Sequence, residues 1–157
     1  MLNVECLMLN DCLRQCSMLN DDLMFICLTT IKYNMSDFGS LVEEKCMNFS
    51  IRIVGLCRFL NEEKHEYRIA DQMFRSGTSI GANVAEAQCA ITKNDFVAKT
   101  YISLKECNET LYWLRLLERT KYINKQQFDS IYKDCDELKR MLVAITKTAR
   151  QNIATKQ

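Results

Sequence analysis

The most restrictive feature of this sequence is an absence: its 157 residues contain no proline and only four glycines. These are the residues that interrupt helices and shape tight turns. A chain almost without them, rich in Leu, Lys, Glu and Ala, is expected to run in long helices joined by short polar breaks. Its length suits one domain with a genuine core, so a single all-α domain is the expected class.

Hydrophobic spacing locates four such helices. From Ser40 to Asn61, the residues Val42, Cys46, Phe49, Ile53, Leu56 and Leu60 recur in steps of four and three and lay down one continuous apolar stripe. After the polar break at 61–64, Ile69, Met73, Ile80, Val84, Ala87 and Ile91 mark a second helix from about His65 to about Ala90. Thr92 to Asp95 form the next break, with Asn94 as the expected N-cap and Asp95 favourably placed against the positive helix end. A third helix then runs to about Arg119. It carries a main stripe of Phe96, Thr100, Leu104, Cys107, Leu111 and Leu114, and a second apolar side with Tyr101, Ile102, Tyr112, Trp113 and Leu116. Asn124 is the expected cap of the fourth helix, striped by Phe128, Ile131, Cys135, Leu138, Leu142, Ile145 and Ala149. The same spacing is compatible with a coiled coil, but breaks this short predict an antiparallel up-down-up-down four-helix bundle. The second face of the third helix is more apolar surface than a monomer needs. It predicts self-association through Tyr101, Tyr112, Trp113 and Leu116, with packing against the N-terminal segment as the alternative.

Charge and cysteine narrow the function classes. A net charge of +1 argues against a strongly basic nucleic-acid module on bulk charge, leaving local patches to be sought. The nine cysteines stand singly and a lone histidine, His65, accompanies them, so neither a zinc site nor a secreted disulfide framework is expected. Reduced thiols in a cytoplasmic protein are the better reading. No apolar run approaches the ~20 residues of a membrane span, and no basic-flanked leader opens the sequence. Residues 1–34 differ from the rest: they hold four of the nine cysteines, two basic and four acidic residues, and an irregular pattern with Met-Leu-Asn at 1, 8 and 18. The stretch from Met35 looks like an ordinary N-terminus entering a helix. The expected organisation is therefore an N-terminal extension, disordered or foreign to the natural protein, followed by a bundle domain over 35–157 with a net charge of +3.

Within the second helix lies the run Arg75-Ser-Gly-Thr-Ser-Ile-Gly-Ala-Asn-Val-Ala-Glu-Ala87. Gly77 and Gly81 each cost a helix about 1 kcal/mol relative to Ala, so something must offset them. Glycines at i and i+4, with Ala70 and Ala85 nearby, let a neighbouring helix backbone approach closely. A phosphate loop is the sharper alternative, but the motif GxxxxGK[ST] is absent and the helical stripe runs straight through both glycines.

This run resembles the signature of the four-helix-bundle proteins encoded in intervening sequences of bacterial 23S rRNA genes. The likeness continues through Asp95-Phe96, Lys105-Glu106 and Glu109-Thr-Leu-Tyr-Trp-Leu-Arg-Leu-Leu117, and covers about Met35 to Arg150. The resemblance implies a cytoplasmic bacterial bundle that assembles as a homopentamer and has no known enzymatic activity. The same broad group includes the accessory proteins of diversity-generating retroelements, which engage a reverse transcriptase and nucleic acid.

Three groups of residues are candidates for chemistry. Arg75, Ser79, Asn83 and Glu86 form a polar strip that Glu106 and Glu109 can reach, expected to be a buried ion-pair network. A dinuclear metal site would require Glu-x-x-His pairs, and an acid–base pair of Glu86 and Glu109 would require a nucleophile beside it. No catalysis and no cofactor are therefore expected. Lys139, Arg140, Lys147 and Arg150 fall within about 100° of arc at the end of the fourth helix, where no acidic residue follows Glu137. Basic side chains also complement a helix C-terminus, but repeated around a ring they make a surface attractive to phosphate. Arg52, Arg58, Lys64 and Arg68 are expected to widen it. With no aromatic platform evident beside these residues, the contact is expected to be electrostatic, to structured RNA or DNA. The rival is a protein-interaction scaffold that binds no nucleic acid.

Overall fold

The computed structural model describes residues 35–154. The expected extension over 1–34 lies outside the described residues. Four helices follow one another: α1 Met35–Glu62, α2 Tyr67–Gln88, α3 Lys93–Arg119 and α4 Lys125–Ala154. Side-chain contacts set their order around the core. Cys57 Sγ donates to the Ala70 carbonyl across α1 and α2, and Ser103 Oγ donates to the Ile80 carbonyl across α3 and α2. Cys135 Sγ donates to the Cys107 carbonyl across α4 and α3, and Lys45 Nζ reaches Glu137 at 2.6 Å across α1 and α4. Each neighbour runs antiparallel to the last, because contacts early in one helix meet contacts late in the next. This is the expected up-down-up-down bundle, closed on itself by the α1–α4 contacts.

The stripes read from spacing supply the core. Ile53, Leu60, Met73, Ile80, Leu114, Leu138 and Leu142 are fully buried, and Leu117, which none of the stripes includes, joins them. Ile91 is the exception: it is 94% exposed in the α2–α3 connection, because α2 ends at Gln88 before the stripe can reach it. Hydroxyls extend the stripe of α3. Ser103, Thr110 and Thr100 are buried in phase with Cys107, each bonding a carbonyl, and Thr110 Oγ1 lies 3.1 Å from Ser76 Oγ on α2. A serine or threonine hydroxyl that returns its proton to a helix carbonyl is satisfied without water.

The α1–α2 seam depends on the glycines. A Cβ at Gly77 would lie 2.8 Å from both Cγ atoms of Ile53, and one at Gly81 would lie 3.3 Å from Cys46 Cβ. The space is filled mostly by α1 side chains rather than by its backbone, a narrower arrangement than the expected backbone approach. Gly55, by contrast, would place a Cβ in open space.

The helix ends are capped by local chemistry. Asn124 Oδ1 accepts from Gln127 N while Gln127 Oε1 accepts from Asn124 N, a reciprocal capping box at the expected residue. For α3 the cap is Thr92, whose Oγ1 accepts from Asp95 N at 3.1 Å, not the expected Asn94. Asn94 already lies inside the first turn, and Thr92 stands at the three-residue spacing that a cap requires. Lys121 takes φ 65° to end α3, with Tyr122 N bonding back to the Leu117 carbonyl and Lys121 N to that of Glu118. Glu66, which no spacing rule flagged, caps α2 through bonds to the backbone N–H groups of Arg68 and Ile69 at 3.1 and 3.0 Å. Its other oxygen accepts from the Tyr122 hydroxyl at 3.1 Å, tying the α1–α2 turn to the α3–α4 turn.

Two tests follow from this packing. Gly77→Ala is expected to lower unfolding stability by about 1–2 kcal/mol, overpacking against Ile53 outweighing the gain in helix propensity. Gly55→Ala should raise stability by up to about 1 kcal/mol. Chemical denaturation of both variants checks the pair. The backbone bond from Ile69, with help from Tyr122, holds the Glu66 carboxyl below the ordinary carboxylate range. A carboxylate depressed by folding stabilises above its unfolded value of about 4.3, and that contribution is lost as pH falls through the lower folded value. Thermal unfolding should therefore show wild type more stable than Glu66→Gln near neutrality, with the gap closing as the pH is lowered below about 4.

Candidate functional site

The α2 polar strip folds differently from the buried network expected of it. Small and hydroxyl side chains, Ser76, Ser103 and Thr110, fill the α2–α3 seam and draw the helices together. Arg75, Ser79, Asn83 and Glu86 are left along its outer edge. Glu86 pairs with Lys99 rather than with Arg75, and Asn83 Nδ2 donates to the Ser79 carbonyl of its own helix. Arg75 is exposed and makes no ion pair among the described residues. On α3, Glu109 Oε1 accepts from Trp113 Nε1 at 3.1 Å. Partial burial, with the Glu109 charge beside it, pushes the Glu106 carboxyl up. The strip is a half-open polar edge, not a buried salt-bridge network.

The core thiols are chemically quiet. Cys46, Cys57, Cys107 and Cys135 are buried and unpaired, and Cys89 is exposed. Burial, with Cys107 and Glu43 nearby, pushes the Cys46 thiol up to about 12. Burial, with Asp71 nearby, pushes Cys57 up to about 11. A hydrogen bond with Cys135 and burial push Cys107 upward as well. A thiol that stays protonated is neither a nucleophile nor a metal ligand. Among the described residues no group of three or more His, Cys, Asp or Glu side chains is placed to hold a metal ion. No described helix is long and apolar enough to cross a membrane.

The basic residues of α4 separate into different environments. Arg140 pairs with Asp136 one turn earlier at 3.2 Å, and Lys139 is half-buried, close enough for its charge to act on the Cys107 thiol. Lys147 is exposed. Arg150 crosses to α3, where its guanidinium stands 5.2 Å from the centre of the Tyr101 ring, and Lys105 Nζ stands 5.4 Å from the same ring. An aromatic platform therefore does stand beside the basic arc, contrary to the sequence reading. Spacing puts Tyr101 on the self-association face, and nothing in its separation from Arg150, 49 positions on, links the two before the antiparallel register of α3 and α4 is known. The second basic group is dispersed. Arg52 is held by Asp134 and Ser130 of α4, Lys64 lies over Phe59, and Arg58 and Arg68 are exposed.

The second face of α3 is present as expected. Tyr101, Ile102 and Tyr112 are exposed, and Leu116 is half-buried. Trp113 is half-buried too, edge-on to Tyr112 at 5.1 Å, and lines a shallow groove with Tyr67, Ile69 and Gln72 of α2.

Comparison with known proteins places this architecture. A crystal structure from Bacteroides thetaiotaomicron, of a protein of unknown function in the S23 ribosomal protein family, is 46% identical to this chain. It superposes with a TM-score of 0.69 over 70% of this chain and 98% of its own. No curated protein matches. The family model described as 23S rRNA-intervening sequence protein matches residues 40–144. That span takes in the packing faces of α1, α2 and α3, the glycine-bearing run that seats α2 on α1, and most of α4, and the chain belongs to the 23S rRNA-intervening sequence protein family.

Proposed function

We propose that this chain is a non-enzymatic accessory protein of the cytoplasm that assembles with copies of itself, as a pentamer, and engages the phosphates of structured RNA or DNA. Its setting would be an rRNA intervening sequence or a retroelement-like system, with a reverse transcriptase as the protein partner in the latter. The observation that carries this reading is the basic surface along α3 and α4. There Arg150 and Lys105 flank the exposed Tyr101 ring, and Lys139, Arg140 and Lys147 continue on one arc of α4. Cations held against an aromatic face suit phosphate, the ring fixing where the charges stand. One such surface is modest, but its repetition around a ring multiplies the local field. Support for a non-enzymatic role comes from the state of the reactive groups. Lys99 engages Glu86, Trp113 engages Glu109, and burial holds the Cys46 and Cys57 thiols well above the ordinary thiol range. The rival scaffold reading draws on the exposed aromatic side of α3, which suits a protein partner equally well.

Salt dependence separates the two. Binding of the full-length chain to a structured RNA should weaken by at least tenfold between about 50 and 200 mM salt, as counterion release requires of a contact made through several phosphates. Reversing charge at both Lys147 and Arg150 should flatten the log–log slope by roughly 1 to 2. An oligomer that binds no RNA at the lowest salt would assign the chain to the scaffold reading instead.

A further inference from the structure

Apart from Tyr67, Ile91 and Val143, the exposed large apolar side chains among the described residues fall into two separate stripes, one of them the outer side of α3. The other lies on the opposite pair of helices. On α1, Met47, Ile51 and Val54 recur at i, i+4 and i+7 with 60%, 62% and 38% of their surface exposed. On α2, Phe74 is 46% exposed. The antiparallel register, with Ile53 against Gly77 and Cys57 against Ala70, puts Val54 and Phe74 at the same level. The four side chains thus share the outer face of the α1–α2 pair. Thr78 and Ala85 follow Phe74 on that side and are small enough to leave the surface shallow. The patch amounts to on the order of 400 Å² of apolar surface, within the range of the largest patch on a typical monomer, which is often functional.

We infer that this α1–α2 face is the receiving half of a head-to-tail contact, occupied by the Tyr101–Tyr112 stripe of a second copy of this chain. The inference rests on the self-assembly part of the proposed function and assigns its missing surface.

Three observations select that occupant. Two unlike apolar stripes on different sides of one bundle are both covered by a single kind of contact only if one stripe meets the other. A self-paired dimer would leave one stripe of every chain in water. A heterologous contact of this kind also generates rings when its rotation closes. Charges of both signs stand on each face and can pair across it: exposed Glu44 and Asp71 one turn before Met47 and Phe74, and Arg58 one turn after Val54, against exposed Lys105, Arg115 and Arg119 along the α3 stripe with Glu109 among them. Pairs of opposite charge at such a contact fix its register. The area also suffices. With about 300 Å² from Tyr101, Ile102 and Tyr112, the apolar part approaches 700 Å², which a polar rim brings into the range of roughly 1,200 to 2,000 Å² buried by a specific interface. Tyr101, with Arg150 and Lys105 over it, then lies at the edge of the contact, so the basic arc of α4 runs beside the junction between subunits.

The test uses two full-length variants, Ile51→Glu and Tyr112→Glu, each at an exposed position, with Met47→Glu as a second probe of the α1–α2 face. Circular dichroism verifies the folding of each, and native mass spectrometry with light scattering reads the assembly. Each variant alone is expected to fall from the wild-type oligomer to a single chain of 18.3 kDa. An equimolar mixture of Ile51→Glu and Tyr112→Glu should form a heterodimer, because each supplies the face that the other lacks, and should grow no further. If the α1–α2 variants retain the wild-type mass, the face is not part of the contact; the inference then fails while self-assembly stands. If Tyr112→Glu retains it, or if the mixture stays monomeric, the two stripes do not meet and the inference fails likewise. A wild-type chain that is itself monomeric would overturn the self-assembly reading, and this inference with it.

Discussion

The seating of α2 on α1 through Gly77 is the contact on which the rest of the bundle depends. Ile53 occupies the volume that any side chain at 77 would need, and its burial there brings Cys57 within reach of the Ala70 carbonyl and Cys46 against Gly81. Two glycines weaken α2 as an isolated helix. The packing they permit recovers that loss only in the folded chain, so the stability of α2 is a tertiary property. Helix α3 then meets α2 at the same levels: Ser103 bonds the Ile80 carbonyl and Thr110 approaches Ser76, the residue preceding Gly77. A single short run of sequence thus serves two seams, one built from missing side chains and the other from short hydroxyls.

Much of this fold was legible in the sequence because spacing in helices is a local rule. Val42, Cys46, Phe49, Ile53, Leu56 and Leu60 are all buried as their periodicity demanded, and Asn124 caps α4 as its position demanded. The misreadings have physical causes too. Hydrophobic spacing passes over Ser103 and Thr110, because a hydroxyl satisfied by its neighbours' carbonyls behaves as a core residue without being apolar. Ile91 continues a periodic stripe beyond the point where the helix carrying it has ended. Glu66 is an uncommon cap, recognisable only when the turn that folds its carboxylate back over Arg68 and Ile69 is in view.

The candidate site was less legible, because its parts are joined by register rather than by nearness in sequence. The arc of Lys139, Arg140, Lys147 and Arg150 follows from helix geometry alone. That Arg150 spends its charge over Tyr101, that Arg140 is shared with Asp136, and that Arg52 is taken by α4 are facts of the assembled bundle. The polar strip of α2 shows the same effect in reverse. Its residues do share a face, but the short side chains of the seam draw α3 in so closely that the strip is left at the rim.

The placement of the cysteines has a consequence of a different kind. Cys46, Cys57, Cys107 and Cys135 are sealed within α1, α3 and α4, while Cys89 stands exposed at the end of α2. Four buried sulfurs that solvent cannot reach will react with a thiol-specific reagent only when their helix parts from its neighbours, whereas Cys89 reacts from the folded state. The chain therefore carries its own set of reporters: the labelling rate at each buried sulfur measures how often that part of the core opens, against an internal standard on the same molecule.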